Sequence, residues 1–275
     1  MYMNIVVLVK PTPDITKVKF DIEKGTVDRS SAELEINPFD LYAIEVGVKI
    51  KELLGGTVTV ISMAPPHGEK ALRDAIARGV DKAILLTDKR FAGADTLATS
   101  YTLAMAIKKL EQVFGKVNLI LCGEKSVDGD TAHVGPEVAE HLGLPHASFV
   151  THIIDISSDR VVVETDYGDS YYRLELKLPA VVAVSRPLMF RGALVEPRVP
   201  RLSDILKARR AKIDIWNADY LSDVADMNRF GLAGSPTRVV KAFYALTSTK
   251  TPIVIKGDEG VDILIKILKE KGVLR

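Results

Sequence analysis

The stretch VNLILCGEKSVDGDTAHVGPEVAEHLGLP, residues 117–145, decides how the rest of the chain is read. Residues 119–122 are a short apolar run that predicts a buried strand. Residues 123–130 form a glycine-bearing loop. Val134, Val138, Ala139 and Leu142 then recur at helical spacing, and Gly143 and Pro145 stop the helix. Strand, loop and helix start, in that order, make the joint at which open α/β sheets bind nucleotides. The loop lies at the carboxyl edge of the sheet, and the free N–H groups of the helix start face the ligand. So read, residues 123–134 are a phosphate and nucleotide cradle. Turn and capping chemistry accounts for the same residues without a ligand: Gly129 permits a tight turn, and Asp128, Asp130 and Thr131 are good caps. Neither Gly-x-Gly-x-x-Gly nor the Walker pattern is present. Two acids are unusual beside bare phosphate, so they would face ribose hydroxyls, cap backbone or point away.

Upstream, strand and helix patterns alternate. Residues 4–9 are a continuous apolar run, as in a parallel strand covered on both faces, and Lys10-Pro11-Thr12-Pro13-Asp14 ends it. Residues 17–20 and 26–27 predict a short hairpin around Glu23-Lys24-Gly25. Asn37-Pro38-Phe39-Asp40 is a helix start, with Asn as cap, Pro at the first helical position and an acid in the first turn. Leu41, Ile44, Val48 and Ile50 face inward until Gly55-Gly56. A second strand at 57–63, a helix at 70–78 and a third strand at 83–87 follow. Asp95 caps a helix that runs to about Leu110. The alternation predicts an α/β fold with a doubly wound, mostly parallel sheet of the adenine-nucleotide-binding, Rossmann-like kind.

Downstream the pattern changes. Residues 149–156, 160–165, 170–178 and 180–185 are close-spaced and β-branched, which predicts an antiparallel extension. Residues 186–200 read as a long irregular segment carrying Leu188, Met189, Phe190 and Leu194, either a docking surface or part of the core. A basic helix at 202–213 reads as a solvated helix end; nucleic-acid binding would need aromatic platforms or a wider basic field. Ser235 lies in a turn-rich connector. Short segments at 241–246 and 253–256 precede a final amphipathic helix at 260–271. The expected organisation is a nucleotide-binding domain at 1–200 and a C-terminal helix and arm at 201–275 that packs on another surface.

Composition excludes several classes. Net charge is +1, so no global field favours nucleic acid or a membrane. A lone cysteine, Cys122, rules out an internal disulfide framework and fits a reducing cytoplasm. Met1 leads directly into a strand without a signal peptide, and no run approaches the roughly 20 apolar residues of a membrane helix. A single Gln with 27% charged residues fits a thermophile. The five histidines form no ligand pattern with Cys122, and Ser126 and Ser185 have no local base. A protein that holds a cofactor is therefore favoured over one that reacts through its own side chains.

Several segments together resemble one family, the beta (small) subunit of electron-transfer flavoprotein. They are Val6-Val7-Leu8-Val9-Lys10 with Pro13-Asp14; Ile36-Asn37-Pro38-Phe39-Asp40; Val60-Ile61-Ser62-Met63; Ala71-Leu72-Arg73-Asp74-Ala75 with Arg78-Gly79-Val80-Asp81; and Gly93-Ala94-Asp95-Thr96-Leu97-Ala98-Thr99. Cys122-Gly123-Glu124 through Asp128-Gly129-Asp130-Thr131 to Val134-Gly135-Pro136 follow, then Leu178-Pro179-Ala180-Val181-Val182, Glu196-Pro197-Arg198 and Gly234-Ser235-Pro236-Thr237-Arg238. They run in family order along nearly the whole chain.

The resemblance implies a heterodimer with an alpha subunit, carrying electrons from dehydrogenases toward a quinone reductase or another acceptor. The exchangeable FAD would sit mainly in the alpha subunit. The beta subunit would bury a second nucleotide, AMP in simple members and FAD in electron-bifurcating ones, where it takes electrons from NADH. Carried over to this chain, the cofactor-binding residues are Leu8, Asn37, Pro38, Phe39, Asp40, Met63 and the run Gly123-Glu124-Lys125-Ser126-Val127-Asp128-Gly129-Asp130-Thr131-Ala132-His133-Val134. Asp95, Thr96 and Thr99 would border the flavin or NADH. Leu194 would be the partner-recognition anchor, with Glu196, Pro197 and Arg198 beside it. Residues 128–136 resemble the bifurcating type, which favours FAD over AMP. His133 stands where a Gln is expected; a neutral imidazole can replace an amide as donor or acceptor. Two alternatives remain: a shuttle with structural AMP, and a regulatory AMP/ATP-binding domain without redox work. A nucleotide-dependent ligase or hydrolase would need a Ser-Gly-Gly-x-Asp-Ser loop, which is absent.

Overall fold

The computed structural model describes residues 2–13, 19–21, 26–28, 34–237, 254, 257 and 259–274. Expectations at Asp14, residues 17–18, the Glu23-Lys24-Gly25 turn, Arg238, residues 241–246 and positions 253, 255 and 256 lie outside the described residues. In chain order the elements are β1 (Met3–Leu8), β2 (Pro11–Pro13), β3 (Lys19–Asp21), β4 (Thr26–Asp28), β5 (Leu34–Ile36), α1 (Pro38–Leu54), β6 (Gly56–Met63) and α2 (Glu69–Ala77). Next come β7 (Lys82–Leu86), α3 (Thr96–Phe114), β8 (Leu119–Gly123), α4 (Val134–Leu142), β9 (His146–Ile156), β10 (Arg160–Asp166) and β11 (Tyr171–Lys177). The last are β12 (Ala180–Phe190), β13 (Ala193–Leu194), α5 (Leu202–Arg210), β14 (Asp214–Trp216) and α6 (Glu259–Glu270).

One ten-stranded sheet has the order β11-β10-β9-β12-β8-β1-β6-β7-β14, with β13 on β12. From β9 to β14 every neighbouring pair is parallel. The central strands are mostly apolar because both faces are covered. In β1, Ile5 and Val7 pack on the side of α1 and α2. Val6 and Leu8 pack on the side of α3 and α4. This is the expected doubly wound, mostly parallel α/β fold. Helix α4 ends as predicted, with Gly143 at φ 66°, a left-handed cap that a side chain would strain.

Several expectations need correction. Residues 180–185 do not join the antiparallel layer: β12 lies between β8 and β9 and runs parallel to both, with Ala180-Val181-Val182-Ala183-Val184 buried. Strands β10 and β11 are the antiparallel extension, and β9 joins the two parts. The stretch expected to be irregular begins as a strand, since β12 continues to Phe190 and turns through Arg191 and Gly192 into β13. Leu188 and Val195 are core residues. Helix α5 stops at Arg210 rather than Ile213, because Asp214–Trp216 leaves to pair with β7. Residues 201–237 thus include a strand of the main sheet. The compact unit reaches Arg238, and a second unit, Val239–Arg275, holds α6.

The segment after β13 is strapped to α1 by charge. Glu45 is only 4% exposed. Its carboxylate accepts from the Arg198 backbone N at 3.0 Å, Nε at 2.8 Å and Nη2 at 3.1 Å, while Nη1 reaches Glu52 at 3.0 Å. Burial pushes the Glu45 carboxyl up, but the bonds and charge of Arg198 outweigh it and hold the group below its ordinary range. Removing the cation leaves a buried carboxylate with only Lys49, 3.6 Å from Oε1, to compensate it. Arg198→Ala is therefore expected to cost about 3 kcal/mol of unfolding free energy near neutral pH. The lowered Glu45 pKa makes the pair's contribution fade as pH falls through the carboxylate range, so the loss should shrink in acid. Urea denaturation of both proteins across pH measures this; a loss that is small, or flat with pH, would show the strap to be idle.

Candidate functional site

The chain order reverses between β1 and β8, and the crevice beyond their carboxyl ends is where doubly wound sheets place ligands. Leu8 of β1 is flanked by Ile61 of β6 and Cys122 of β8. Met63 ends β6, and Leu8 and Met63 pack on the α3 and α4 side. The start of α1 ties the two strand ends together. Asp40, 5% exposed, accepts from the Lys10 N–H at 2.8 Å beyond β1 and from the Gly123 N–H at 3.1 Å at the end of β8. A third donor is Asn37 Nδ2 at 3.0 Å. Gly123 has no alternative, since a Cβ there would lie 2.5 Å from Asp40 Oδ1 and 2.6 Å from Phe39 Cβ. Burial pushes the Asp40 carboxyl up to about 7, against the opposing pull of its three donors and the Lys10 charge.

Asn37 does not cap α1 with its side chain as expected. Its amide instead grips the loop, donating to the Lys125 carbonyl at 2.9 Å and accepting from the Val127 N–H at 3.2 Å. An amide offers both functions at once, which no carboxylate or hydroxyl at this position would do in the same geometry.

Two of the loop's three acids, Asp128 and Asp130, are neutralised from within. Lys10 Nζ meets Asp128 at 2.7 Å and Ser126 Oγ at 3.3 Å. Lys125 Nζ meets Asp130 at 2.8 Å. Burial raises the Asp128 carboxyl, but Lys10 and Ser126 prevail and hold it below its usual range. The Glu124 carboxylate takes the Ser185 hydroxyl, and the Glu124 N–H donates to the Val184 carbonyl at 2.8 Å. Gly129 is not the left-handed residue of the turn; Asp130 at φ 53° and Ala132 at φ 57° are. Ala132 in that region costs roughly 1 kcal/mol, a strain that clusters at ligand-binding turns. Thr131 and His133 are exposed, and His133 precedes α4 without capping it. Val134 opens α4 and packs into the core on that side. The first N–H groups of that helix have no intrahelical acceptor and lie at its positive end.

Asp95 caps α3 as expected, accepting from Ala98 N at 3.1 Å. Its other oxygen takes the Thr237 N–H at 3.1 Å and hydroxyl at 2.8 Å, while the Asp95 N–H donates to Ser235 Oγ at 2.9 Å. Burial raises this carboxyl, yet those donors hold it below the ordinary range. Both oxygens are thus engaged within the chain. Thr96 Oγ1 donates to Glu137 Oε1 in the first turn of α4 at 3.1 Å, and Thr99 lies one turn further along α3. Sequence reading missed Lys10, Glu137, Ser185 and Thr237 as members of this edge. Each meets its partner across 41 to 142 positions, and no local pattern marks it. Among the recognition candidates, Leu194 is 58% exposed and sits opposite Met189 at 38%. Glu196 is exposed, Pro197 and Arg198 are half-buried, and Arg198 is held by α1. Among the described residues no group of three or more His, Cys, Asp or Glu could hold a metal, and no helix is long and apolar enough to cross a membrane.

A mostly parallel sheet wound to both sides of β1, with a braced loop over its switch point, defines a protein of the doubly wound α/β class. Residues 24–221 match the family model described as "Electron transfer flavoprotein domain". The chain is 40% identical over 240 residues to the electron transfer flavoprotein subunit beta of Clostridium acetobutylicum, covering 87% of each chain. It is 41% identical to the subunit of that name from Thermoanaerobacterium thermosaccharolyticum, over 86% of each. It is 38% identical to Protein FixA of Azorhizobium caulinodans, over 88% of this chain and 84% of that one. The chain belongs to the electron transfer flavoprotein beta-subunit/FixA family.

Because the folded pKa of Asp40 is raised, the folded state keeps a proton that the unfolded chain has released. Stability from this group is present in acid and is lost as pH rises through about 7. The stability difference between the wild type and Asp40→Asn should therefore favour the wild type more near pH 5 than near pH 8. Equal differences at both would mean that Asp40 titrates as an ordinary carboxyl.

Proposed function

We propose that this chain acts as the beta subunit of a heterodimeric electron-transfer flavoprotein, paired with an alpha subunit, and holds a nucleotide in the crevice over β1 and β8. The observation that carries this reading is the loop at 123–133, pinned at three places over the switch point: by Asn37, by Asp40 and by Lys10. The donor set fits an anionic nucleotide. Asp128 and Asp130 are each paired with a lysine, which removes the charge objection raised by the sequence. Backbone amides of the loop and the α4 start would meet the phosphates, and Leu8, Met63 and Phe39 would line the apolar side. Thr96 and Thr99 would border the flavin or NADH.

The resemblance of residues 128–136 to bifurcating relatives supports FAD over AMP. Gly135 has a separate reason to be glycine, since a Cβ would sit 2.9 Å from Cys122 Sγ. FAD supplies hydride and single-electron chemistry; this chain's residues bind, orient and shield it. With FAD here and a second one mainly in the alpha subunit, NADH would serve as donor and its electrons would divide between two acceptors. The second unit would pack on the alpha subunit through α6, whose Val261 and Leu264 are exposed.

The stoichiometry of bound nucleotide tests this reading. The chain and its alpha subunit are co-expressed, the complex is denatured, and FAD and AMP are quantified. Two FAD per heterodimer are expected. One FAD and one AMP would make it a simple shuttle, and no nucleotide in this chain would remove the crevice assignment.

The hairpin of β12 and β13 would present Leu194 and Met189 to a dehydrogenase, held rigidly by buried Leu188 and Val195. Leu194→Ala is expected to slow electron transfer from the dehydrogenase about tenfold, as for one lost anchor, with flavin content unchanged. An unaltered rate would return Leu194 to ordinary surface.

A further inference from the structure

Glu137 is a carboxylate that neither the sequence nor the family comparison singles out. It lies in the first turn of α4, directly after the loop. One oxygen is fixed by the Thr96 hydroxyl at 3.1 Å, across the seam between the starts of α3 and α4. The other, Oε2, is buried and has no hydrogen-bond partner among the described residues. A buried carboxylate oxygen without a donor is costly; His141 Nε2, one turn along α4, is likewise buried and unpaired, and the two are not bonded to each other, so the oxygen is open to a donor arriving from outside the chain. Phosphate cannot be that donor, because it carries only acceptors and the same sign of charge. A neutral hydroxyl is suitable. In a nucleotide the sugar is bonded directly to the phosphate, so a phosphate at the helix start brings sugar hydroxyls to the helix's first turn. Acids at the carboxyl edge of doubly wound sheets receive ribose hydroxyls in this way.

We propose that Glu137 Oε2 accepts a sugar hydroxyl of the nucleotide bound in the crevice, with Thr96 holding the carboxylate in the receiving orientation. This rests on the nucleotide reading of the crevice and names the group recognised there. The ligand class is a nucleotide with free hydroxyls beside its phosphate, either on the ribose of adenosine or on the ribityl chain of a flavin. Toward this hydroxyl Thr96 acts through Glu137, as a positioning residue.

The test uses the heterodimer stripped of nucleotide, titrated with AMP, 2′-deoxy-AMP, 3′-deoxy-AMP, FAD and a 2′-deoxyribityl FAD analogue. At least one deoxy ligand is expected to bind about tenfold more weakly than its parent, as for one lost hydrogen bond to a charged acceptor. Which analogue fails identifies the sugar. In Glu137→Met, which keeps the volume and removes the acceptor, the gap should close through weaker binding of the parent alone. In Glu137→Gln, which restores an acceptor oxygen, the gap should reopen. Deoxy ligands that bind as tightly as their parents, or a gap that survives Glu137→Met, would overturn the proposal. Loss of both parent and deoxy binding in Glu137→Met would also overturn it, as a packing role. If the wild type binds none of the parent nucleotides, the crevice reading beneath it falls and the proposal with it.

Discussion

The buried carboxylate of Asp40 is the constraint on which the carboxyl edge depends. It accepts from the backbone just past β1 and from the backbone that ends β8, so it sets the spacing of two strands at the point where winding reverses. The cost of this arrangement is visible in its pKa, pushed up to about 7 by burial despite three donors. Its neighbour Asn37 extends the same tie to the loop, and Gly123 is the residue that lets strand and helix approach closely enough. Helix α1 is thereby more than a cover for the sheet. Its first turn shapes the crevice, and its middle, through Glu45, holds the strap that follows β13.

At the carboxyl edge and the strap, charge is met within the chain. Asp128 and Asp130 of the loop are met by Lys10 and Lys125, and Arg198 is met by Glu45 and Glu52. The loop is thus left to interact through backbone amides and a helix terminus, which suits an anionic ligand better than its composition indicates. The strap follows the hairpin of β12 and β13, which carries the exposed Met189 and Leu194 over buried Leu188 and Val195.

Asp95 has a second role beside the cap that its sequence position indicates. Its cap on α3 is local, but its second oxygen secures Thr237, the last described residue before the second unit. Thr96 beside it reaches Glu137 on α4. The start of α3 is consequently joined both to the end of the main unit and to the helix that follows the loop. Its residues serve the order of the crevice edge through hydrogen bonds inside the chain.

The fold class was legible in the sequence because its signals are local. Continuous apolar runs mark doubly covered strands, and glycines and caps mark helix ends within a few residues of them. The position of the loop at 123–134 was legible for the same reason. Strand direction was not: residues 180–185 have the composition of either a parallel or an antiparallel strand, and only their placement between β8 and β9 makes them parallel. The brevity of α5 was equally hidden, because the pull on residues 214–216 comes from β7, far away in sequence. Within the site, the sequence by itself determined which residue types stand at the strand ends and helix starts. Only the tertiary structure decided that Asn37 grips a loop instead of capping its helix, that Lys10 neutralises Asp128, and that Glu137 keeps an oxygen without a donor. Those outcomes depend on hydrogen bonds between distant segments, and their geometry exists only once the sheet has brought the strand ends together.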